Sequence, residues 1–245
     1  MQIIYGVNPV REIIKREGEK IKEILVAAGK KGPAIQNILT LATEKHIPFV
    51  FKDRRHLDSL AGCPTHQGVV AFCEPYAYAP IDELIGQQTG DVPPTILILD
   101  ELTDPQNLGA LIRTAHCLGV RGVIIPENRS VSVNATVIKA SAGAAHWLPI
   151  AREVNLVRAI AYLKERGFWI YGAEAGDGTE LEKFADSGPV GLVLGSEGQG
   201  LRPLIKKQCD YMISIPMAGK VGSLNVSVAA GIILYEMMSK RGRKE

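Results

Sequence analysis

Residues 95–126 read TILILDELTDPQNLGALIRTAHCLGVRGVIIP. The apolar run ILILD (96–100) is followed by a polar turn. Leu108, Leu111, Ile112, Ala115 and Leu118 then recur at the spacing of one helix face. A second apolar run, GVIIP (122–126), closes the stretch. Neither run alternates apolar with polar residues, so each predicts a strand covered on both faces, as in a parallel sheet. Strand, helix and strand in about 30 residues make the crossover unit that joins parallel neighbours. The spacing predicts a helix over 107–118 with Asn107 as its N-cap. Arg113 follows Ile112 by one step and falls off the buried stripe.

The pattern continues toward the C-terminus. WLPIA (147–151), FWIYGA (168–173), VGLVLG (190–195) and MISIP (212–216) read as further strands, with helices over 132–140, 155–166 and 223–240. Alternating strands and helices with short loops predict a doubly wound α/β domain. The last helix, VSVAAGIILYEMM, is apolar almost all round, so it is expected to be buried in the core or against a second subunit.

Toward the N-terminus, residues 74–94 carry four prolines and no sustained apolar period. Residues 76–93 are read as a linker with one short helix near Ile81–Gln87. Residues 1–75 form a smaller α/β domain. A helix opens at Asn8-Pro9, strands lie at Ile24–Ala27, Phe49–Phe51 and Val69–Phe72, and Pro33–Lys45 is a helix with Ile35, Ile38, Leu39 and Ala42 on one stripe. The predicted order is thus 1–75, a linker at 76–93, and the larger domain at 94–245.

Composition excludes several classes. The chain has 245 residues, 46% hydrophobic and 22% charged, which fits a globular protein and excludes a disordered or fibrous one. No apolar run approaches the ~18 residues of a membrane-spanning helix. MQIIYGVNPVREIIKR lacks a secretory pattern, and Cys63, Cys73, Cys117 and Cys209 form no CxxC pair. They read as reduced thiols, and a cytoplasmic location is expected. Net charge is +2, and residues 1–75 hold 11 Lys/Arg against 8 Asp/Glu, with clusters at Lys30-Lys31 and at Lys52–His56. Such clusters are commonly solvated surface; contact with RNA is the alternative.

The loop after ILILD carries one glycine, in place of the G-x-G-x-x-G that a dinucleotide site requires there. No phosphate-loop lysine, nucleophile elbow or metal-ligand spacing is present, and the five histidines stand apart. The polar residues that stand out follow three strands: Asp104–Gly109 leading to Arg113, Gly195–Leu201 (GSEGQGL), and Ile215–Ser227 (IPMAGKVGSLNVS). Loops at the carboxyl ends of parallel strands share one crevice. Here they would bring asparagine, arginine, glutamate, serine and free backbone to a ligand. That set suits a transfer from an activated donor, with the protein mainly positioning the reactants.

DPQNLGALIRTA, LVLGSEGQGL and ISIPMAGKVGSLNVSVAAGIILYE resemble, in order and spacing, the three motifs of the SpoU/TrmH family of RNA 2'-O-ribose methyltransferases. The resemblance covers residues 94–240. IIYGVNPVREIIK and HQGVVAF (66–72) are similar to the ribosomal-protein-like substrate-binding domain of the family's 23S rRNA guanosine methyltransferases. The resemblance implies a deep trefoil knot, a homodimer, S-adenosylmethionine as donor and RNA, most specifically 23S rRNA, as acceptor. It implies no metal. Asn107, Arg113, Glu197, Ser223 and Asn225 match the family's catalytic and polar positions. Gly195, Ile215 and Leu224 match positions whose backbone holds the adenosyl group. A tRNA methyltransferase of the same family and a non-catalytic RNA-binding protein of the same fold are the alternatives.

Overall fold

The computed structural model describes residues 1–86, 92–176, 179–181, 188–196, 198–220 and 222–241, with the backbone alone at 179 and 180. The chain divides into two compact units, and both are discontinuous in sequence. Met1–Ala77 is joined by Val133–Trp147; Tyr78–Ser132 is joined by Leu148–Glu245.

The first unit is a four-stranded sheet of β1 (Gln2–Tyr5), β2 (Ile21–Ala27), β3 (Phe49–Lys52) and β4 (Val69–Cys73), with helices α1 (Val7–Glu17), α2 (Pro33–Glu44) and α3 (Arg54–Ala61). The strand order is β1-β4-β2-β3. β4 runs antiparallel to both neighbours and β2 pairs parallel to β3. The stripe expected on α2 faces inward: Ile35, Ile38 and Ala42 are buried, and Leu39 sits at its margin. β1 and α3 lay outside the sequence reading. β1 has four residues, and α3 buries Leu57 alone, so neither shows enough periodicity to be seen.

The second unit holds α4 (Ile81–Ile85), β5 (Thr95–Leu99), α5 (Pro105–Cys117), β6 (Gly122–Pro126), β7 (Ile150–Glu153), α7 (Leu156–Lys164), β8 (Trp169–Ala173), β9 (Thr179–Glu180), β10 (Val190–Leu194), α8 (Pro203–Lys206), β11 (Tyr211–Ser214) and α9 (Val226–Arg241). The remaining helix, α6 (Ala135–Ala140), belongs with the first unit. All seven strands are parallel, in the order β7-β6-β5-β10-β8-β11-β9. Every residue of β5, β6 and β10 is buried, as the lack of alternation predicts. One face packs Ile96, Ile98, Ile124 and Val193 against Leu156, Ile160 and Leu163 of α7. Each such side chain contributes about 1.5–3 kcal/mol on burial.

Two boundaries and the burial of the last helix differ from expectation. Strand β7 begins at Ile150, because Ala144–His146 forms a tight 3-10 turn and Pro149 has no N–H to give a ladder. The helix expected from 132 starts at Ala135, where the Asn134 side chain caps it by accepting from the Val137 N–H at 3.0 Å. Helix α9 is buried on one face only. Val226, Ala230, Ile233, Leu234 and Met237 point inward, while Leu224 and, on the helix itself, Val228, Ile232, Tyr235 and Met238 are 36–59% exposed.

Candidate functional site

Helix α5 starts at a different cap from the one its sequence suggested. Asp104, in extended conformation, accepts from the N–H groups of Gln106 (3.2 Å) and Asn107 (3.1 Å), and Pro105 takes the first helical position. Asn107 therefore lies inside the first turn, and its side chain does other work. Its Oδ1 accepts from Asn225 Nδ2 at 3.0 Å. Asn225 Oδ1 accepts in turn from the N–H (2.9 Å) and hydroxyl (2.6 Å) of Ser227. Two donors on one oxygen fix which way the Asn225 amide points and leave its NH₂ aimed at Asn107. The same contacts cap α9, so the starts of α5 and α9 are tied to each other.

The loop after β10 folds back on itself. The Gly200 N–H reaches the Ser196 carbonyl at 3.0 Å. Gly195 has to be glycine: a methyl built there would lie 2.1 Å from the Gly200 carbonyl carbon and 2.5 Å from the Leu201 nitrogen. An ion-pair network ties this loop to the end of β5. Asp100, fully buried, accepts from the Arg202 backbone N–H (3.0 Å) and Nε (2.8 Å), and Glu101 pairs with the same guanidinium at 3.1 Å. The hydrogen bond to Asp100 pushes the Arg202 guanidinium further up from its ordinary range. Removing one partner of such a pair strands a buried charge, at a cost of about 3–5 kcal/mol.

These elements enclose a cavity of about 620 Å³ at the carboxyl ends of β8, β10 and β11. The volume is that of a small-molecule site. Leu194, Ile213, Ile215, Leu224 and Val226 supply apolar walls, and the turns around Gly195–Ser196 and Gly198–Gly200 supply backbone. Glu174, after β8, adds a carboxylate that is ion-paired with Lys206.

The structure thus brings Gly195, Ile215, Ser223, Leu224 and Asn225 to one cavity, with Asn107 bound to Asn225 beside it. Arg113 is not in the lining. It is exposed on α5 and, among the described residues, enters no ion pair or hydrogen bond. Glu197 lies outside the described residues. Asp100, Arg202 and Glu174 were missed from sequence. A charged residue directly after an apolar strand was the available signal in ILILD and, one residue later, in FWIYGAE. Two of the four thiols are raised by burial, Cys73 to about 12 and Cys209 to about 11. Neither is a nucleophile at neutral pH.

Comparison with known proteins covers both units. The profile of the SpoU rRNA Methylase family matches residues 94–235, and that of the RNA 2'-O ribose methyltransferase substrate-binding domain matches residues 3–79. A Staphylococcus saprophyticus protein whose name places it among TrmH family tRNA/rRNA methyltransferases is 45% identical over 98% of this chain and 96% of its own. The SpoU methyltransferase AviRb from Streptomyces viridochromogenes, solved in complex with AdoMet, shares the fold. Its TM-score is 0.79 and its identity 24%, over 98% of this chain and 90% of that one. The A. aeolicus TrmH/SpoU tRNA modifying enzyme is similar over 67% of this chain and 82% of its own, with TM-score 0.56 and 32% identity.

Proposed function

Because the chain belongs to the SpoU rRNA methylase family, an RNA methyltransferase family, we propose that it moves a methyl group from S-adenosylmethionine to the ribose 2'-hydroxyl of a guanosine in 23S rRNA, as a cytoplasmic homodimer. The observation that carries the reading is the convergence of the loops after β8, β10 and β11 with the start of α9 on one cavity, next to the Asn225–Asn107 bond. The cavity fits the donor: apolar walls and close-packed backbone suit an adenine, and the Glu174 carboxylate suits hydroxyl or ammonium groups.

S-adenosylmethionine, when bound, would supply a sulfonium methyl to the ribose oxygen, the S–CH3 bond breaking to leave S-adenosylhomocysteine and the hydroxyl proton passing to solvent. The backbone around Gly195, Ile215 and Leu224 would hold the adenosyl part. Asn107, fixed by Asn225, would orient the ribose hydroxyl, and Ser223 would bond polar groups at the same rim. A guanidinium is a poor proton acceptor. The role assigned to Arg113 is therefore to hold the target phosphate and to favour loss of the hydroxyl proton to solvent by stabilising alkoxide character on the attacking oxygen. Its exposure and lack of partner among the described residues leave it available to RNA. Glu197 would act as a support for the loop groups or for Arg113.

In the same reading, residues 1–75 bind RNA, 76–93 link and 94–245 catalyse. A trefoil knot is part of it, as the resemblance to the family implies. The exposed apolar stripe Leu224, Val228, Ile232, Tyr235 and Met238 supports the homodimer, because a continuous apolar face on a terminal helix calls for a partner. An rRNA target is supported by the matched family, SpoU rRNA Methylase, and by the matched substrate-binding domain over residues 3–79. Labelled methyl transfer from S-adenosylmethionine to purified 23S rRNA and to bulk tRNA, followed by nuclease digestion, tests it. Label in 2'-O-methylguanosine from 23S rRNA is expected. Label confined to tRNA would move the target to the alternative.

A further inference from the structure

The surplus positive charge of the first 75 residues is unevenly spread over their sheet. At the end where β2 starts and β4 finishes, Glu17, Glu19, Glu23, Glu44 and Glu74 stand among Lys15, Arg16, Lys20, Lys22 and Lys45, so charges balance. The opposite end gathers two clusters that lie far apart in sequence. Ala27 pairs with Lys52 in the β2–β3 ladder, and the Ala28 N–H bonds the Lys52 carbonyl at 2.8 Å. Lys30 and Lys31, just past β2, therefore lie at the same end of the sheet as Lys52 at the tip of β3 and Arg54 and Arg55 in the first turn of α3. All five are exposed, and none has an ion pair among the described residues. Asp53 and Asp58, the latter bonded to His66 at 2.9 Å, offset two of the five positive charges and leave a surplus.

Folding does not account for this arrangement. The first turn of a helix favours anions, by about 0.3–1 kcal/mol per charge, and α3 has two arginines there and no acid. Lys30 and Lys31 likewise precede the start of α2. The group carries self-repulsion and an unfavourable helix dipole, which a polyanion would relieve. Beside it Phe51, on edge strand β3, leaves 55% of its surface in solvent. An exposed aromatic ring on the strand that ends in this cluster suits a phosphodiester chain with unstacked bases better than an acidic peptide.

We propose that this end of the first unit's sheet is its RNA contact surface: Lys30, Lys31, Lys52, Arg54 and Arg55 hold consecutive backbone phosphates, and one unpaired base stacks on Phe51. The assignment rests on the reading of the chain as an RNA methyltransferase and names the face by which it takes hold of RNA.

The test is fluorescence anisotropy of the full chain with a labelled RNA hairpin carrying a single-stranded loop, over a salt series, alongside calorimetry with S-adenosylmethionine. Each phosphate contact on single-stranded RNA adds about 0.7 to the salt slope, or about fivefold in affinity at roughly 0.1 M salt. Arg54→Ala with Arg55→Ala should weaken binding about 25-fold and lower the slope by about 1.4. Lys22→Ala with Lys45→Ala removes the same charge from the balanced end and should stay within about twofold. Phe51→Ala should lose about 5- to 150-fold, the range for one base–aromatic stack, and Phe51→Trp should retain binding. Cofactor affinity and melting temperature should be unchanged in every variant, which separates loss of RNA from loss of fold. The assignment is overturned if the double arginine variant matches wild type in affinity and slope. It is equally overturned if wild type binds no RNA, or if polyglutamate competes as well as RNA while Phe51→Ala changes nothing. Failure to bind S-adenosylmethionine would instead sink the methyltransferase reading and leave the anisotropy result to judge the face by itself.

Discussion

Replacing Gly195 with Ala places a methyl 2.1 Å from the Gly200 carbonyl carbon and 2.2 Å from its oxygen. Ordinary contact begins near 3.4 Å, so backbone on one side of the loop has to retreat by about 1 Å or more. Both partners are backbone, so no rotamer change relieves the clash. Overpacking of this kind costs about 1–3 kcal/mol, or roughly 2–12 °C in melting temperature for a chain of this size. The moved atoms line the cavity, and restoring their position on donor binding costs about the same 1–3 kcal/mol, or about 5- to 150-fold in affinity. Calorimetry with S-adenosylmethionine should therefore show an affinity about 5- to 150-fold below wild type, with a cooperative melt retained. Gly219→Ala is the control: no atom lies within 4 Å of its new methyl, and both quantities should stay at wild-type values. A Gly195→Ala protein with lowered melting temperature and unchanged affinity would show that the 195–201 loop does not cradle the donor.

Arg113→Ala should leave melting temperature and donor affinity nearly unchanged, since the side chain is exposed and outside the cavity lining, but slow single-turnover methyl transfer about 10²–10³-fold; wild-type rates would remove it from the mechanism. Arg113→Lys should rescue little, because a point ammonium cannot replace a planar fork of donors. Glu17 is held down from 4.5 to about 2, chiefly by its hydrogen bond from His146 and then by Lys20, against the opposing effect of burial. A depressed carboxylate contributes stability that is whole above its unfolded value and is lost as pH falls through the folded one, here from 4.5 toward about 2. Melting temperature should fall across that window in wild type, and Glu17→Gln should start lower at neutral pH and show a flatter fall; equal slopes would refute the assignment. Ile232→Asp with Tyr235→Asp puts charge on the exposed stripe of α9 and should yield monomers by light scattering, where wild type should give dimers; a wild-type monomer contradicts the homodimer.

The parallel sheet was legible because its central strands are wholly buried: ILIL, GVIIP and VGLVL have no polar position to confuse the period. Elements that bury one or two side chains, such as α3 with Leu57 or α8 with Ile205, leave no such trace. The N-cap of α5 was misplaced for a local reason. Asp104 and Asn107 are both good caps, and Pro105 between them decides for Asp104 by fixing the first helical residue. That choice matters for the site, because it frees Asn107 to meet Asn225, 118 positions away. A pairing at that distance has no signal in one sequence. The grouping of Val133–Trp147 with the first unit was hidden for the same reason. It rests on packing of α6 and the Ala144–His146 turn against β1 and α1, with long-range bonds such as Tyr76 OH to the Ala145 carbonyl (2.9 Å), Trp147 Nε1 to Glu12 (3.1 Å) and His146 to Glu17 (3.0 Å). The helix stripe of α9 was read as apolar all round, and that composition alone could not say which half would remain uncovered in one chain.

Mapping of ribose methylation across total RNA, from cells with the gene and from cells lacking it, tests the central claim most directly. A 2'-O-methyl group on one guanosine of 23S rRNA should be present in the first and absent in the second, and should return with the wild-type gene but not with Arg113→Ala. Identical methylation maps from the two strains, in rRNA and in tRNA alike, would contradict it.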